Sequence, residues 1–160
     1  MTPEAGAVLL PLALRCASGA VWLDAEGCDV PPGACRVWLQ RLDIEAAASS
    51  ALLPLLCPEE RARADAFRAQ PARDRFVQVR AALRLLLGRC LGVPGADIGF
   101  VYGAFGKPQL AGGGPWRFNV AHSGDYAVLA VAHGHEVGVD IEQQRALPEL
   151  DALARMGFSP

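Results

Sequence analysis

Lysine is almost missing from this sequence, which has Lys107 alone beside fourteen arginines. A net positive charge is missing too: the formal charge is -2 at pH 7, so no global basic field argues for a nucleic-acid partner. No apolar run is long enough to span a membrane. The apolar stretch 5–14 has no basic residue before it and contains Pro11, which argues against a signal peptide.

Paired cysteine motifs are also absent. The five cysteines are odd in number and form no C-x-x-C pair, so the sequence predicts neither a disulfide framework nor a zinc site. Their unpaired pattern favours a reduced, cytoplasmic setting. The length of 160 residues and the 52% hydrophobic content fit one globular domain with a core of its own.

Two stretches have the periodicity of helices. A proline followed by two glutamates favours a helix from Pro58 to about Phe67. A stronger helix is predicted over about 72–91, where apolar residues recur at three- and four-residue spacings, and Gly92 ends it. No element is predicted before Pro31-Pro32-Gly33, so 1–33 is expected to be a poorly defined N-terminal segment.

Short apolar or alternating runs predict five strands. They are Cys35–Leu42, Ile98–Tyr102, Trp116–Ala121, Tyr126–Ala132 and Val137–Glu142. Tight turns at 123–125 and 133–135 join the last three into one central stretch. His133 and His135 flank a glycine in the second turn, and we expect both to be surface residues.

The last predicted strand carries two acids on one face. Because side chains alternate along a strand, Asp140 and Glu142 point the same way and lie roughly 7 Å apart. Magnesium prefers such oxygen ligands and keeps waters for a substrate phosphate, and Gly138 beside them leaves room for a ligand. A half-exposed strand whose polar face is acidic explains the same pattern, so both interpretations stay open.

Charge is unevenly distributed along the chain. The segment 61–89 has eight arginines against two aspartates, whereas 136–151 has five acids against one arginine. Arg73, Arg80 and Arg84 share one helical face, with Arg75 close by. These arginines could form a phosphate clamp, or they could serve solubility and cover apolar surface with their stems.

The single lysine lies in an unusual loop. Gly106 permits close backbone approach, Pro108 fixes the backbone, and Lys107 supplies a point charge between them. A plain turn would explain the glycine and the proline but not a lysine in a chain that otherwise uses arginine.

Together these motifs resemble the 4'-phosphopantetheinyl transferases of the larger, surfactin-synthetase-associated type. The resemblance rests on FNVAHSG (118–124), VGVDIE (137–142), FGKP (105–108) and the arginine-rich helix RDRFVQVRAALRLLLGRCLG (73–92). It covers about 37–160, including the closing RMGFSP at 155–160. It implies an α+β fold, a small antiparallel sheet packed with helices, as one half of a pseudo-two-fold enzyme.

The resemblance also implies an activity. Such enzymes move the phosphopantetheine arm of coenzyme A onto a serine of an acyl or peptidyl carrier protein, need Mg2+ and release 3',5'-ADP. Asp140 and Glu142 match the family's metal carboxylates. His122 matches a catalytic histidine that contacts coenzyme A phosphate. Lys107, with Gly106 and Pro108, matches a coenzyme A-binding loop, and Arg75 falls in the segment that handles the nucleotide.

Two departures from the family pattern affect what is expected. Ala121 stands where the family often has a serine, which costs about one hydrogen bond, on the order of 1 kcal/mol. The family's second half, with its W-x-x-K-E-A type motif, has no counterpart here. We therefore expect 34–160 to be an N-terminal half without its C-terminal half, incomplete for catalysis alone and prone to self-association or to pairing with a second polypeptide.

Other functions fit parts of the pattern. A non-catalytic module that binds coenzyme A or a carrier protein would account for the missing second motif. A metal-dependent phosphohydrolase would use the same acids but leaves the G-K-P loop unexplained. A serine hydrolase lacks the G-x-S-x-G elbow around Ser123.

Overall fold

The computed structural model describes residues 9–17, 20–25, 28–42, 49–103 and 106–144. Within these ranges the chain forms strands, two α-helices and two short 3-10 helices, and the α+β fold class is confirmed. The strands are β1 (Leu9–Ala17), β2 (Ala20–Ala25), β3 (Cys35–Arg41), β4 (Phe100–Tyr102), β5 (Pro108–Leu110), β6 (Trp116–Ser123) and β7 (Tyr126–His133). The α-helices are α1 (Pro58–Asp65) and α2 (Gln70–Leu91), and the 3-10 helices are Ser50–Leu55 and Gly95–Asp97.

The main sheet has five strands in the order β2-β1-β3-β7-β6. The expected antiparallel arrangement holds for every neighbouring pair except β1 and β3, which run parallel. The parallel pair arises because β2 folds back beside β1 as a hairpin, and β3 then returns along the other edge of β1. Strands β4 and β5 form a separate two-stranded hairpin.

The hairpin of β6 and β7 supplies much of the core. Gly124 in its turn has φ +57, a left-handed conformation that glycine adopts without strain. Phe118 of β6 lies opposite Val131 of β7, and both are buried against the helix face of the sheet. Strand β3 pairs with the other edge of β7, where Trp38 lies opposite Leu129, and both are fully buried.

Helix α2 lies against this sheet and carries the predicted apolar positions inward. Pro71 lies in its first turn, and Gly92 ends it with φ +72 and an N–H bond to the Gly88 carbonyl. The helix is buried on more faces than its periodicity indicates, because both 3-10 helices also pack against it. Residues off the predicted stripe, such as Gln78 and Arg84, are therefore buried as well.

Several features differ from the sequence prediction. Strands β1 and β2 lie in the segment 1–33, where the patterns predicted no element. Conversely, the structure assigns no strand to 134–144, so the predicted strand Val137–Glu142 is wrong as a hydrogen-bonded element. The closing RMGFSP motif lies outside the described residues. None of the helices that the structure describes has both the length and the apolar character needed to cross a membrane.

Candidate functional site

A pocket of about 390 Å³ lies between helix α2, strand β6 and the β4–β5 hairpin. It is lined by Arg63, Phe76, Val79, Arg80, Tyr102, Gly106, Lys107, Pro108, Phe118, Asn119, Val120 and His122. Two of these residues are arginines and one is a lysine, and none of the twelve is acidic. The pocket therefore combines an apolar floor with a positively charged wall, which suits a ligand that has both an organic part and an anionic group.

The G-K-P loop, which the resemblance implies is a coenzyme A-binding loop, forms one wall of this pocket. Gly106 has φ +74, and its N–H donates to the Gly103 carbonyl at 2.9 Å. The Gly103 N–H in turn donates to the Lys107 carbonyl at 3.1 Å. Pro108 then begins β5 opposite Tyr102. The loop is thus closed by its own backbone, which leaves the lysine side chain to reach outward.

The Lys107 ammonium contacts the acidic segment that follows β7. It donates to the Val137 carbonyl at 3.3 Å and lies 3.8 Å from a Glu136 carboxylate oxygen. Arg117 pairs more closely with that same carboxylate, at 2.6 Å. Because these groups are well exposed, the ion pairs hold Lys107 only weakly.

His122 reaches the same pocket from the end of β6. It lies opposite Ala127 on the helix-facing side of the sheet, one residue before the end of its strand. Its side chain is exposed, and it lines the pocket together with Lys107. Two residues about fifteen positions apart in sequence, both predicted to contact one ligand, thus line one cavity.

Arg75 lies outside the residues that line this pocket. Its guanidinium donates to the Asp125 carboxylate at 2.6 Å, in the turn between β6 and β7. The Arg75 side chain is 42% exposed and that of Asp125 is 64% exposed. Arg75 is therefore next to the turn that follows His122 and is already engaged with an acid.

The segment with Asp140 and Glu142 runs beside β6 without forming a ladder with it. Side chains of β6 bind its backbone instead: Asn119 accepts from the Val139 N–H at 3.4 Å, and Ser123 accepts from the Gln143 N–H at 3.0 Å. The expected alternation survives, since 137, 139 and 141 are half-buried while 138, 140 and 142 are exposed. The side-chain faces were thus predicted correctly although the strand pairing was not.

The two carboxylates are placed differently. Glu142 accepts a hydrogen bond from the Ser123 hydroxyl at 3.1 Å and lines a smaller hollow of about 160 Å³ near the β6–β7 turn. Asp140 is exposed, and neither acid lines the large pocket. Within the described ranges, no group of three histidine, cysteine or acidic side chains is arranged to hold a metal ion.

The arginines of α2 have separate roles that their shared face did not predict. Arg84 is only 1% exposed and donates to the Glu60 carboxylate at 2.7 Å and to the Ile98 carbonyl at 2.7 Å, so it is a structural residue and neither a clamp nor a surface arginine. Arg73 pairs with Asp65 at 3.0 Å. Arg80 is the member of this face that reaches the pocket.

Glu60 connects helix α1 to these arginines. Burial alone would raise its pKa, but the charge of Arg80 and the hydrogen bonds from Arg84 and Arg80 outweigh that effect and hold the pKa of Glu60 below its ordinary value. Its carboxylate also accepts from the Cys57 N–H at 3.1 Å and caps the helix. The sequence indicated only a favourable acid at a helix start.

Some lining residues were missed altogether. Arg63, which no motif singled out, has an exposed side chain that lines the pocket and lies over the Phe76 ring. Tyr102 ends β4 at the pocket mouth with half of its surface exposed. An aromatic residue ending a strand next to the G-K-P loop was the available signal. His133, expected at the surface, is instead half-buried with its ring 4.7 Å from that of Trp116.

Comparison with known proteins identifies relatives of this chain. Residues 45–134 match the family described as 4'-phosphopantetheinyl transferase, N-terminal. The chain is 34% identical over 128 residues to the 4'-phosphopantetheinyl transferase HetI of Nostoc sp., which covers 78% of this chain and 54% of HetI. It is 34% identical over 141 residues to a phosphopantetheinyl transferase of Thraustochytrium sp., covering 81% of this chain and 49% of that protein.

A third relative is the 4'-phosphopantetheinyl transferase AcpT of Salmonella typhimurium. It is 42% identical over 76 residues, which cover 48% of this chain and 38% of AcpT. The chain spans about half the length of the curated relatives it matches. The matched family range includes Lys107 and His122 but ends before Asp140.

Proposed function

We propose that this chain, which belongs to the 4'-phosphopantetheinyl transferase superfamily, binds coenzyme A and acts in transferring its 4'-phosphopantetheine group to a serine of an acyl or peptidyl carrier protein. Within the superfamily we assign it to the larger, surfactin-synthetase-associated type, with 34–160 as an N-terminal half. One observation carries the proposal: Lys107 and His122 line the same pocket as Gly106 and Pro108.

The chemistry of the pocket supports coenzyme A as the ligand. Coenzyme A has a phosphorylated nucleotide at one end and a largely neutral arm at the other. The cations of the pocket suit its phosphates, and the apolar and aromatic side chains suit its organic parts. In this proposal Lys107 and His122 bind phosphate, while Arg75 contributes positive charge next to the β6–β7 turn.

The reaction is a phosphoryl-group transfer whose atoms balance without a further reactant. The serine oxygen of the carrier protein attacks the phosphorus that bears the pantetheine arm. A new phosphorus–oxygen bond forms, and the bond from that phosphorus to the bridging oxygen breaks. The electron pair leaves with 3',5'-ADP, and the serine proton passes to a base. This chain's cations hold the diphosphate and stabilise its charge.

Mg2+ is the metal that the family implies, and the acids next to the site fit it in donor chemistry. Asp140 and Glu142 offer exposed carboxylate oxygens from the same side of one segment, and Mg2+ is usually held by one or two carboxylates together with substrate phosphates. Ser123 orients Glu142 through its hydroxyl. When bound, the ion would neutralise diphosphate charge.

A calorimetric titration with coenzyme A tests the proposal directly. Wild-type protein and Asp140→Ala are titrated with and without Mg2+. We expect binding that Mg2+ strengthens in the wild type and that loses this dependence in Asp140→Ala. Failure of the wild type to bind coenzyme A under either condition would refute the proposed function of this chain.

One observation favours a second candidate, a module that binds coenzyme A or a carrier protein without chemistry. Within the described residues only two acids lie near the proposed metal, and no third ligand joins them. Mixing the chain with carrier protein, coenzyme A and Mg2+ tests for chemistry by mass spectrometry. A gain equal to the phosphopantetheine arm would exclude the module and contradict the expectation that this half is incomplete alone. Little or no gain is expected of both candidates, and coenzyme A binding whose Mg2+ dependence is lost in Asp140→Ala then favours the transferase half.

The proposal extends to setting and partners. Cys35, Cys57 and Cys90 are free thiols, which suits a reducing cytoplasm. Val101 and Tyr102 each have half of their surface exposed, which supports self-association or pairing with a second polypeptide near the pocket mouth. Light scattering over a dilution series tests this, and a clean monomer at high concentration would count against it.

A further inference from the structure

Glu60, Arg80 and Arg84 form a compact charged cluster behind the pocket wall. One Glu60 oxygen accepts from Arg80, with Nε at 2.6 Å and Nη2 also bonded. The other accepts from Arg84 Nε at 2.7 Å and from the Cys57 N–H at 3.1 Å. Glu60 is 2% exposed, so one carboxylate is shared between two buried or nearly buried guanidiniums.

The two arginines use their remaining donors in different ways. Arg84 Nη1 donates to the Ile98 carbonyl at 2.7 Å and lies 3.3 Å from the Gly95 carbonyl, so Arg84 is occupied by protein. Arg80 has Nη2 3.5 Å from the Tyr102 hydroxyl, while its Nη1 has no hydrogen-bond partner among the residues that the structure describes. Its guanidinium is stacked 4.7 Å from the centre of the Phe100 ring.

The charges of this cluster do not cancel. Two guanidiniums against one carboxylate leave one net positive charge, and Arg84 is sealed away from the pocket. Arg80 has a side-chain exposure of 12% and lines the pocket, so the excess charge is available there. A buried excess charge is costly unless a counter-ion satisfies it, and the lining residues include no acid that could do so.

We propose that Arg80 is a phosphate-binding residue of this pocket and that Glu60 is its positioning residue. The inference rests on the proposed function, because the anion is taken to be a phosphate of coenzyme A. Arg80 would present Nη1 to the phosphate while Glu60 holds Nε and Nη2. Glu60 does not line the pocket and acts only through Arg80.

Fixing the guanidinium from behind has a physical advantage. A free arginine side chain loses rotamer freedom when it binds a ligand, and that loss weakens binding. Here the Glu60 carboxylate and the Phe100 ring already hold Arg80 in one orientation. The arrangement predicts that arginine cannot be replaced by lysine, because an ammonium group cannot bond Glu60 with two donors and a phosphate in the same geometry.

Calorimetric titration with coenzyme A tests the role of Arg80. Arg80→Gln and Arg80→Lys should each weaken binding by about 10- to 100-fold, the usual range for a lost charge-assisted hydrogen bond. Arg73→Gln is the matched control, because Arg73 lies on the same helix and pairs with an acid but does not line the pocket. Titrations with dephospho-coenzyme A show which phosphate is bound, since loss of the 3'-phosphate should abolish the effect of Arg80→Gln only if Arg80 binds that group.

The Glu60→Gln variant distinguishes a positioning role of Glu60 from a purely electrostatic effect of its charge. Removing the carboxylate raises the net positive charge, so a purely electrostatic role predicts tighter coenzyme A binding. A positioning role predicts weaker coenzyme A binding by Glu60→Gln. It also predicts that adding Arg80→Lys to Glu60→Gln reduces the affinity much less than Arg80→Lys reduces it in the wild type. Circular dichroism establishes whether each variant is folded, and if Glu60→Gln does not fold, Arg80→Lys decides the proposal alone.

The outcomes separate this inference from the proposed function. Wild-type binding together with unchanged affinity in Arg80→Gln would overturn the role of Arg80 and leave the proposed function standing. Tighter binding by folded Glu60→Gln would overturn the positioning role. No binding of coenzyme A by the wild type would overturn the proposed function and this inference with it.

Discussion

The ammonium group of Lys107 donates a hydrogen bond to the backbone carbonyl of Val137 at 3.3 Å. This contact joins the wall of the pocket to the segment that carries Asp140 and Glu142. The segment after β7 forms no strand pairing with β6, so it is held by a few side-chain contacts, from Lys107, Arg117, Asn119 and Ser123. A charged ligand that engages Lys107 therefore competes directly with one of these attachments.

Replacing Lys107 with glutamine should weaken coenzyme A binding by about tenfold or more, because the variant loses a cation that faces the ligand. The change should have little effect on the unfolding midpoint, since Lys107 is 43% exposed. Arg117→Gln is the control: Arg117 contacts the same Glu136 but does not line the large pocket. Equal losses of affinity in the two variants would show that the Glu136 contacts matter and the position of Lys107 does not.

Glu60 should give the protein a pH-dependent stability. Its folded pKa is lowered below the ordinary value of 4.5, so the unfolded state binds more protons in acid. The stabilisation is complete above the unfolded pKa and is lost as pH falls through the folded pKa. The free energy of unfolding, measured with urea between about pH 3 and 7, should fall more steeply with falling pH for the wild type than for Glu60→Gln.

The same variant should also be less stable at neutral pH. Removing one partner of a buried ion pair costs about 3–5 kcal/mol, because it leaves buried charge uncompensated. Asp65→Asn is the control, since Asp65 pairs with Arg73 at an exposed position and should cost less than about 1 kcal/mol. In the pH series, an equal dependence of the free energy of unfolding on pH for wild type and Glu60→Gln would contradict the assignment of a lowered pKa to Glu60.

Local patterns predicted the local features of this structure. The apolar spacing of α2 and the turn residues around Gly124 specify a helix and a hairpin through nearest-neighbour geometry, and both are present. The parallel pairing of β1 with β3 depends on contacts between distant residues, for which the sequence has no local signal. The strand predicted over 137–142 was wrong for the same reason. Alternation predicts which side chains share a face, but it does not predict whether the backbone forms hydrogen bonds with a neighbouring strand.

The candidate site divides in the same way. Lys107 stood out because it is unique in composition, and His122 because it lies in a recognisable motif; both line the pocket. Arg80 and Arg84 share a helical face and looked equivalent. In the structure Arg84 is buried and Arg80 reaches the pocket. This difference depends on Glu60, twenty or more residues away, which pairs with both, and on the Ile98 carbonyl, which binds Arg84.

Gly88 should tolerate no side chain. A Cβ there would lie 2.6 Å from the Val93 carbonyl oxygen and 3.0 Å from the Gly95 backbone nitrogen, so backbone would have to move. Gly88→Ala should lower the free energy of unfolding by about 1–3 kcal/mol, as other overpacked positions do. Gly138→Ala is the control, because a Cβ there meets nothing within 4 Å, and a similar loss in both variants would contradict the packing argument.

Among the cysteines whose side chains the structure describes, Cys90 should be the slowest to react in the folded protein. Burial, with smaller contributions from Cys28 and Asp29, raises the pKa of Cys90 to about 12. At pH 8 its thiolate fraction is then about a thousandfold lower than that of an ordinary cysteine, and the thiolate is the reactive form. Alkylation followed by peptide mass spectrometry should label Cys90 at the ordinary rate only in urea. Rapid labelling of the folded protein would contradict the raised pKa.

Ser123 should matter for ligand binding more than for stability. Its hydroxyl donates to the Glu142 carboxylate at 3.1 Å and accepts from the Gln143 N–H at 3.0 Å, so it attaches the acidic segment to the end of β6. Ser123→Ala removes both bonds. Because the Glu142 end is exposed, the unfolding free energy should fall by only about 1 kcal/mol.

The same substitution should reduce the Mg2+-dependent part of coenzyme A binding, because Glu142 is no longer held in place. Titrations with and without Mg2+ on Ser123→Ala, Glu142→Gln and the double variant measure this. If Ser123 acts by positioning Glu142, the double variant should bind no more weakly than Glu142→Gln alone. Additive losses would mean that Ser123 contacts the ligand or the metal itself, and an unchanged Mg2+ dependence in Ser123→Ala would mean that the segment holds its position without this attachment.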